Sequence, residues 1–327
     1  MTKILLTGVT GYIGGTVLTR LVKRDDFDSF DIRCIVRSPE KGEKIKALYK
    51  NVKIIVGSHS DIALMTQAAS EVDVVIATAD CDDLDAAAGT LQGLKKRFEE
   101  TGKQPIFINT SGTDVFRDDA AGMHTTETIW DDTNPNQIET LEPTQPHRPG
   151  DLKIVAADAE GYVKTYIILP AAIWSIAKGH LFDSGISNKK SGMIALIRAS
   201  SGTMLKFTIS GTFNPGHGRE GYYFGANEEH TFYQLGEAIS EAMLKLDKGS
   251  GGAPTSFTKE EFDKNPMKSV LCFSMAYMSY YIGSNSRCRA NRSRALGWTP
   301  KNTTKDMFAS IYAETELAIE IAASEKL

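Results

Sequence analysis

Thr7-Gly8-Val9-Thr10-Gly11-Tyr12-Ile13-Gly14-Gly15 follows directly on the apolar run Ile4-Leu5-Leu6. A short apolar run that breaks into spaced glycines and then becomes helical has the physical make-up of a phosphate cradle. Gly8 permits a tight strand-to-helix turn at positive φ, Gly11 lets the backbone approach a diphosphate, and Gly14 lets the helix lie against the sheet. The first amide groups of that helix, together with its dipole, then face an anion. Such a glycine triplet carries weight only after a strand and before a helix.

The chain beyond the turn supplies that context. Strands are expected at Lys3–Leu6, Ile32–Val36, Val52–Val56, Asp73–Ala77 and Pro105–Asn109, and helices over Gly14–Lys23, Glu43–Tyr49, Asp61–Ala69 and Ala86–Thr101. The strand runs are continuously apolar rather than alternating, as in a parallel sheet buried on both faces. Right-handed crossovers through helices of this length predict an α/β fold, a doubly wound parallel sheet of the Rossmann kind. Residues 117–150, rich in Asp, Thr, Pro and His, read as an irregular excursion, followed by a helix around Gly150–Gly161 and a strand Thr165–Leu169 stopped by Pro170. We expect a nucleotide-binding domain over 1–178 and a smaller mixed C-terminal lobe over 179–327, with elements able to return to the main sheet. That lobe carries helical stretches near 232–247, 267–282 and 304–323.

The 327 residues hold 37 Lys+Arg against 41 Asp+Glu, a net charge of −4, which argues against a protein built around nucleic-acid phosphates. With 41% hydrophobic and 24% charged residues the chain can bury a core, and disorder throughout is excluded. Cys34, Cys81, Cys272 and Cys288 form no C-x-x-C pair, and His217, His230 and the acids Asp80, Asp82, Asp83 and Asp85 have no metal-ligand spacing, so no metal is expected. The acidic run reads as a solvated strand-end loop, and Arg287, Arg289, Arg292 and Arg294 as a solvated face or anion contact. The most apolar stretch, Tyr166–Ala177, has 12 residues, whereas roughly 20 are needed to span a bilayer. The start of the chain lacks the long apolar stretch of a secretory signal. A cytoplasmic protein with no membrane or nucleic-acid partner is expected; its oligomeric state stays open.

Thr-Gly-x-x-Gly-x-x-Gly at Thr7–Gly14 resembles the extended and atypical short-chain dehydrogenase/reductase superfamily, including its epimerase/dehydratase-like and NmrA-like branches. The resemblance continues through Ile35–Lys41, Val75–Ala79, Phe107–Gly112, Ile168–Ile173 and the "LGW-x-P" element at Leu296–Pro300. It implies a nicotinamide coenzyme contacted by Gly8, Thr10, Gly11, Tyr12, Ile13, Gly14, Thr78, Ala79, Thr110, Pro170 and Ile173. NAD-preferring relatives carry an acid at the tip of the second strand, and NADP users an arginine. Here the tip is Arg37, with Lys41 four residues on, and Asp31 lies about 20 Å away at ~3.3 Å per residue. NADP(H) is therefore expected over NAD(H).

Hydride transfer in this superfamily uses a Tyr, a Lys four residues later and a Ser or Thr. Ser111 stands where the serine is expected. The single Tyr-x-x-x-Lys in the chain, Tyr49/Lys53, lies between the second helix and third strand and reads as coincidence. Counting back from Pro170, the tyrosine should fall near Thr144–Arg148, where the chain offers His147 and then Asp151. Histidine is the side-chain type whose unperturbed pKa lies closest to neutral, so His147 is the candidate replacement. Tyr222 and Tyr223 read as core aromatics of a strand. The W-x-x-V-H-x-D-D-like segment of epimerase-like relatives is missing between Ile194 and Arg219. The resemblance implies an NADP(H)-dependent oxidoreductase acting on a small organic carbonyl or related molecule. A non-catalytic NADP-binding redox sensor of NmrA type and a nucleotide-sugar epimerase or dehydratase are the alternatives.

Overall fold

Continuous apolar runs become strands in the computed structural model, which describes residues 1–189, 215–249, 252–255, 260 and 283–324. In chain order, β1 (Thr2–Leu6) leads to α1 (Tyr12–Leu21), β2 (Phe30–Val36) to α2 (Pro39–Leu48), and β3 (Val52–Val56) to α3 (Ile62–Ser70). β4 (Val74–Ala77), α4 (Leu84–Thr101) and β5 (Ile106–Thr110) follow. After β6 (Trp130–Asp131), α5 (Pro135–Ile138) and α6 (Arg148–Ala159), the chain re-enters the sheet as β7 (Lys164–Pro170). α7 (His180–Asp183) comes next, and β8 (Tyr222–Gly225) adds the last strand of the main sheet. The seven strands run parallel in the order β3-β2-β1-β4-β5-β7-β8. This is the expected doubly wound Rossmann architecture.

Strand order reverses between β1 and β4, and in open α/β sheets ligands bind outside the carboxyl ends of the strands at such a point. The register pairs Leu6 with Ile76 and Ile76 with Ile108. Thr7, Thr78, Thr110 and Ser111 consequently emerge along one edge. The central strands bury both faces: Leu5, Val75, Phe107 and Ile167 pack on one side, Ile4, Ile76, Ile108 and Ile168 on the other. Tyr222 and Tyr223 are buried strand residues, as their pattern predicts.

The 117–150 excursion is more ordered than its composition suggests. β6 pairs in parallel with β9 (Cys288–Arg289), and the buried Asp132 accepts the backbone N–H of Phe224 at 3.1 Å, Arg292 at 2.6 Å and Ser293 at 3.2 Å. One carboxylate thus ties the excursion to β8 and to α9 (Asn291–Ala295). Elements of two to five residues carry no hydrophobic period, which is why they read as loop. α8 (Phe232–Lys245), opened by a Thr231/Gln234 capping box, packs against α10 (Thr304–Ser324) through Leu235, Ala242 and Ile311. The arginines of 287–294 are engaged locally: Arg287 and Arg289 with Glu229, Arg292 with Glu220, and Arg294 with Asn227. The helix expected over 267–282 and the stretch 194–211 lie outside the described residues. Among the described residues, no helix is long and apolar enough to cross a membrane.

Candidate functional site

Geometry explains each glycine of the turn separately. Gly8 has φ +75°, and a Cβ there would lie 2.6 Å from the Thr78 carbonyl oxygen. At Gly14 a Cβ would meet the Gly8 carbonyl oxygen at 2.3 Å, so helix and turn touch backbone to backbone. Gly11 is different: a Cβ would meet only the Gly8 oxygen, at 3.1 Å, leaving its outer side open to a ligand. Gly11 is also the N-cap of α1, offers no side-chain cap, and has no acid in the turn behind it. An uncapped helix start of this kind favours an anion.

The other expected coenzyme residues divide into contact surface and scaffold. Thr78 is buried and donates its hydroxyl to the Thr7 carbonyl at 2.6 Å, bracing the turn from behind, while Ala79 beside it is exposed. The Tyr12 hydroxyl donates to the carbonyls of Trp174 (3.1 Å) and Ser175 (2.9 Å), and its ring packs with Phe182 and Ile173. Ser187 donates to the Val9 carbonyl at 2.8 Å and the Asn188 amide to that of Thr10 at 3.0 Å. The segment after β7 therefore clasps the glycine turn. Pro170 ends β7 opposite Gly225.

At the tip of β2, Arg37 is exposed and its guanidinium forms no ion pair among the described residues. Ser38 caps α2 by accepting the Lys41 amide at 3.2 Å, which sets Lys41 in the same first turn. Asp31, at the far end of β2, is held by Lys53 and Arg33. Lys53 is thereby paired at the amino end of β2.

A second group of polar side chains gathers where β5 stops. Thr110 Oγ1 and Asn109 Nδ2 are buried without a hydrogen-bond partner among the described residues, an arrangement that calls for a ligand or water. The Ser111 hydroxyl donates to Asp151 Oδ2 at 3.2 Å. Asp151 is 1% exposed; burial pushes its carboxyl up to about 7, against the Ser111 bond and the nearby His147 and Arg148 charges. Its other oxygen has no hydrogen-bond partner among the described residues. Burial also raises Asp114, with Arg117 opposing. His147 takes φ +65° as the N-cap of α6, and its Nδ1 lies 2.9 Å from Asp82 Oδ1 and 3.3 Å from Cys81 Sγ. A Cβ on Gly112 would sit 3.1 Å from His147 Nε2, so the ring rests against the backbone just after Ser111. Gly150 brings α6 against the loop after β4, since a Cβ there would lie 2.7 Å from the Cys81 carbonyl oxygen.

Ser111, His147 and Asp151 are thus brought to one end of the sheet. The proximity of Cys81 and Asp82 to His147 was not readable, because it spans a long gap in sequence. The i, i+4 offset from His147 to Asp151 was the one available signal.

Comparison with known proteins agrees with this geometry. The NmrA-like family model matches residues 1–94, from β1 into α4. The curated protein "Oxidase ucsJ" of Acremonium sp is 24% identical over 91% of this chain and 92% of its own length. An uncharacterized protein of Saccharomyces cerevisiae is 29% identical over 34% of this chain and 38% of its own. Among solved structures, yeast methylglyoxal/isovaleraldehyde reductase Gre2 complexed with NADPH has a TM-score of 0.60 at 12% identity, covering 98% of this chain and 99% of that one. Vestitone reductase from alfalfa gives 0.54 at 11%, covering 95% and 97%. These solved structures share the fold of this chain, and its first 94 residues are similar to the NmrA-like family.

Proposed function

We propose that the protein is an NADP(H)-dependent oxidoreductase acting on a small organic carbonyl or related molecule. The observation that carries this reading is the free Arg37 guanidinium at the tip of β2, on the same sheet edge as the open Gly11 turn. Gly8, Thr10, Gly11, Tyr12, Ile13 and Gly14 would hold the diphosphate, with Arg37 and Lys41 on the 2′-phosphate. Thr78, Ala79 and Thr110 would flank the coenzyme, and Pro170 and Ile173 would back the nicotinamide. A bound nicotinamide gives or takes the hydride. Ser111, its hydroxyl oriented by Asp151, would hydrogen-bond the reacting oxygen. His147, with Nδ1 engaged by Asp82 and Cys81, keeps Nε2 for proton traffic beside Gly112. The names of the neighbours, an oxidase and an NADPH-bound reductase, support the class.

The proposal includes a nucleotide-binding unit over 1–178, a substrate lobe over 179–327 and a cytoplasmic setting. A second reading, a non-catalytic NADP-binding sensor, is favoured by one observation: α6 opens with His147 and Asp151 where the superfamily carries Tyr and Lys. An epimerase or dehydratase is disfavoured by the same feature. Fluorescence titration separates these readings from the start. NADPH should bind more tightly than NADH, and Arg37→Ala should weaken NADPH by about tenfold or more while leaving NADH unchanged. Tighter NADH binding by the wild type overturns the coenzyme assignment. Turnover of NADPH with aldehydes, ketones, quinones or imines supports the enzyme; tight binding with no turnover on any of them supports the sensor.

A further inference from the structure

Three donor atoms of different chemistry converge near the end of β5: Cys81 Sγ, a carboxylate oxygen of Asp82 and His147 Nδ1, all within 4.8 Å of one another. Hydrogen bonding alone satisfies this group poorly. A ring nitrogen carries one proton or one lone pair, yet Nδ1 faces the carboxylate at 2.9 Å and the sulfur at 3.3 Å. When Nδ1–H serves Asp82, the sulfur gains little from it. A cation in place of that proton would satisfy sulfur, nitrogen and oxygen at once.

The distances suit one. Bond lengths of about 2.3 Å to sulfur and about 2.0 Å to nitrogen and oxygen in a tetrahedron put neighbouring donors about 3.3–3.5 Å apart. The two separations from Nδ1 need to open by only a few tenths of an ångström, and the third pair lies within 4.8 Å. A further carboxyl oxygen, Asp151 Oδ1, is buried nearby with no hydrogen-bond partner among the described residues. Of the nearby cations, Arg117 pairs with Asp114 and Arg148 donates to the Tyr222 hydroxyl at 2.8 Å. A cleft lined by Asp80, Cys81, Asn109 and Thr110 adjoins the cluster at Cys81.

We propose that Cys81, Asp82 and His147 form a site for a divalent zinc-type cation, with solvent as its fourth donor. A thiolate–imidazole–carboxylate set suits zinc, whereas calcium and magnesium favour all-oxygen shells. The chain holds two structural preparations for it: the left-handed backbone of His147 and the side-chain-free Gly112 and Gly150, which admit the ring and the Cys81 loop. Binding at Nδ1 also places the ring proton on Nε2, the nitrogen beside Gly112. The site stands whether or not the coenzyme assignment does.

The test uses the full chain, freed of metal by a chelator and then titrated with zinc chloride or cobalt(II) chloride. One equivalent of cobalt should bind, giving the visible bands of tetrahedral coordination and a near-ultraviolet thiolate-to-cobalt charge-transfer band. Cys81→Ser should lose the charge-transfer band, and His147→Ala should weaken zinc by at least about tenfold. Cys288→Ser, altering a buried thiol outside the cluster, should keep both properties. Wild-type protein that takes up no stoichiometric zinc, or binds cobalt without the sulfur band, overturns the proposal. So does unchanged metal binding in folded Cys81→Ser. The wild-type cobalt spectrum decides the matter even where a variant fails to fold.

Discussion

The two ends of the strands treat charge in opposite ways. At the amino ends, carboxylates meet cations: Asp31 with Lys53 and Arg33, Glu71 with Arg33, and Asp73 with Arg97. Despite some burial at Asp31 and Asp73, these partners hold both carboxyls below the ordinary aspartate range; hydrogen bonds from Gln67 and Arg33 lower Glu71 likewise. At the carboxyl ends, Asp151 and Asp114 are pushed up by burial, and Asn109, Thr110 and Asp151 keep polar atoms without hydrogen-bond partners. Although Asp31 Oδ1 and Arg33 Nε also lack a hydrogen-bond partner among the described residues, one end pairs its carboxylates with cations and serves as structure. The other leaves them unsettled, at a cost of a few kcal/mol for each buried unpaired group, which a bound molecule can recover.

Glycine substitutions should break this contrast most visibly. Gly14→Val drives side-chain atoms into the Gly8 carbonyl and should abolish NADPH binding in fluorescence titration, with a stability loss of about 1–3 kcal/mol in urea unfolding. Asp151→Asn tests the unsettled end. The native carboxyl titrates near 7 and the unfolded one near 3.8, so the native state holds the proton more tightly. Wild-type stability should therefore fall as pH rises from about 4 to about 7 and level off above, and this component should vanish in the variant. Urea unfolding of chelator-treated protein across that range reads the slope; equal slopes in both proteins would remove Asp151 from the account.

Effects at the amino ends should be smaller and confined to stability. Gly102, the left-handed cap of α4, has φ +64° and open space around it, so Gly102→Ala should cost about 1 kcal/mol and leave NADPH affinity unchanged. Arg97→Ala should cost about 0.5 kcal/mol, since Asp73 is partly solvated. The lowered carboxyls there contribute stability above about pH 4 that is lost as pH falls through their native values. That is the opposite slope to Asp151. Coenzyme affinity that responded to either change would mean that the two ends are coupled.

The sheet was legible because its evidence is local. Ile4-Leu5-Leu6 is apolar on consecutive residues and Gly8, Gly11 and Gly14 follow within one turn, so strand, turn and helix are written in fifteen residues. Ser111 was picked out by its place at the end of the fifth strand, and His147 by counting back from Pro170. Asp132 was not, because a buried carboxylate holding three backbone amides resembles any surface acid until the fold closes around it. Cys81 and Asp82 failed for a related reason: the contact with His147 spans more than sixty residues and depends on Gly150 letting α6 approach. Periodicity reports which face of an element is buried, whereas loop-to-loop convergence leaves no period behind.

The clasp of Ser187 and Asn188 over Val9 and Thr10 bears on vectorial synthesis. A nascent chain halted after the fifth strand already owns every glycine of the mononucleotide pocket, yet the residues that pin it are still to be translated. Readiness for ligand should accordingly arrive late, when about 190 amino acids have left the ribosomal exit tunnel, and ribosome-arrested chains of graded length would reveal that moment as a step in coenzyme capture.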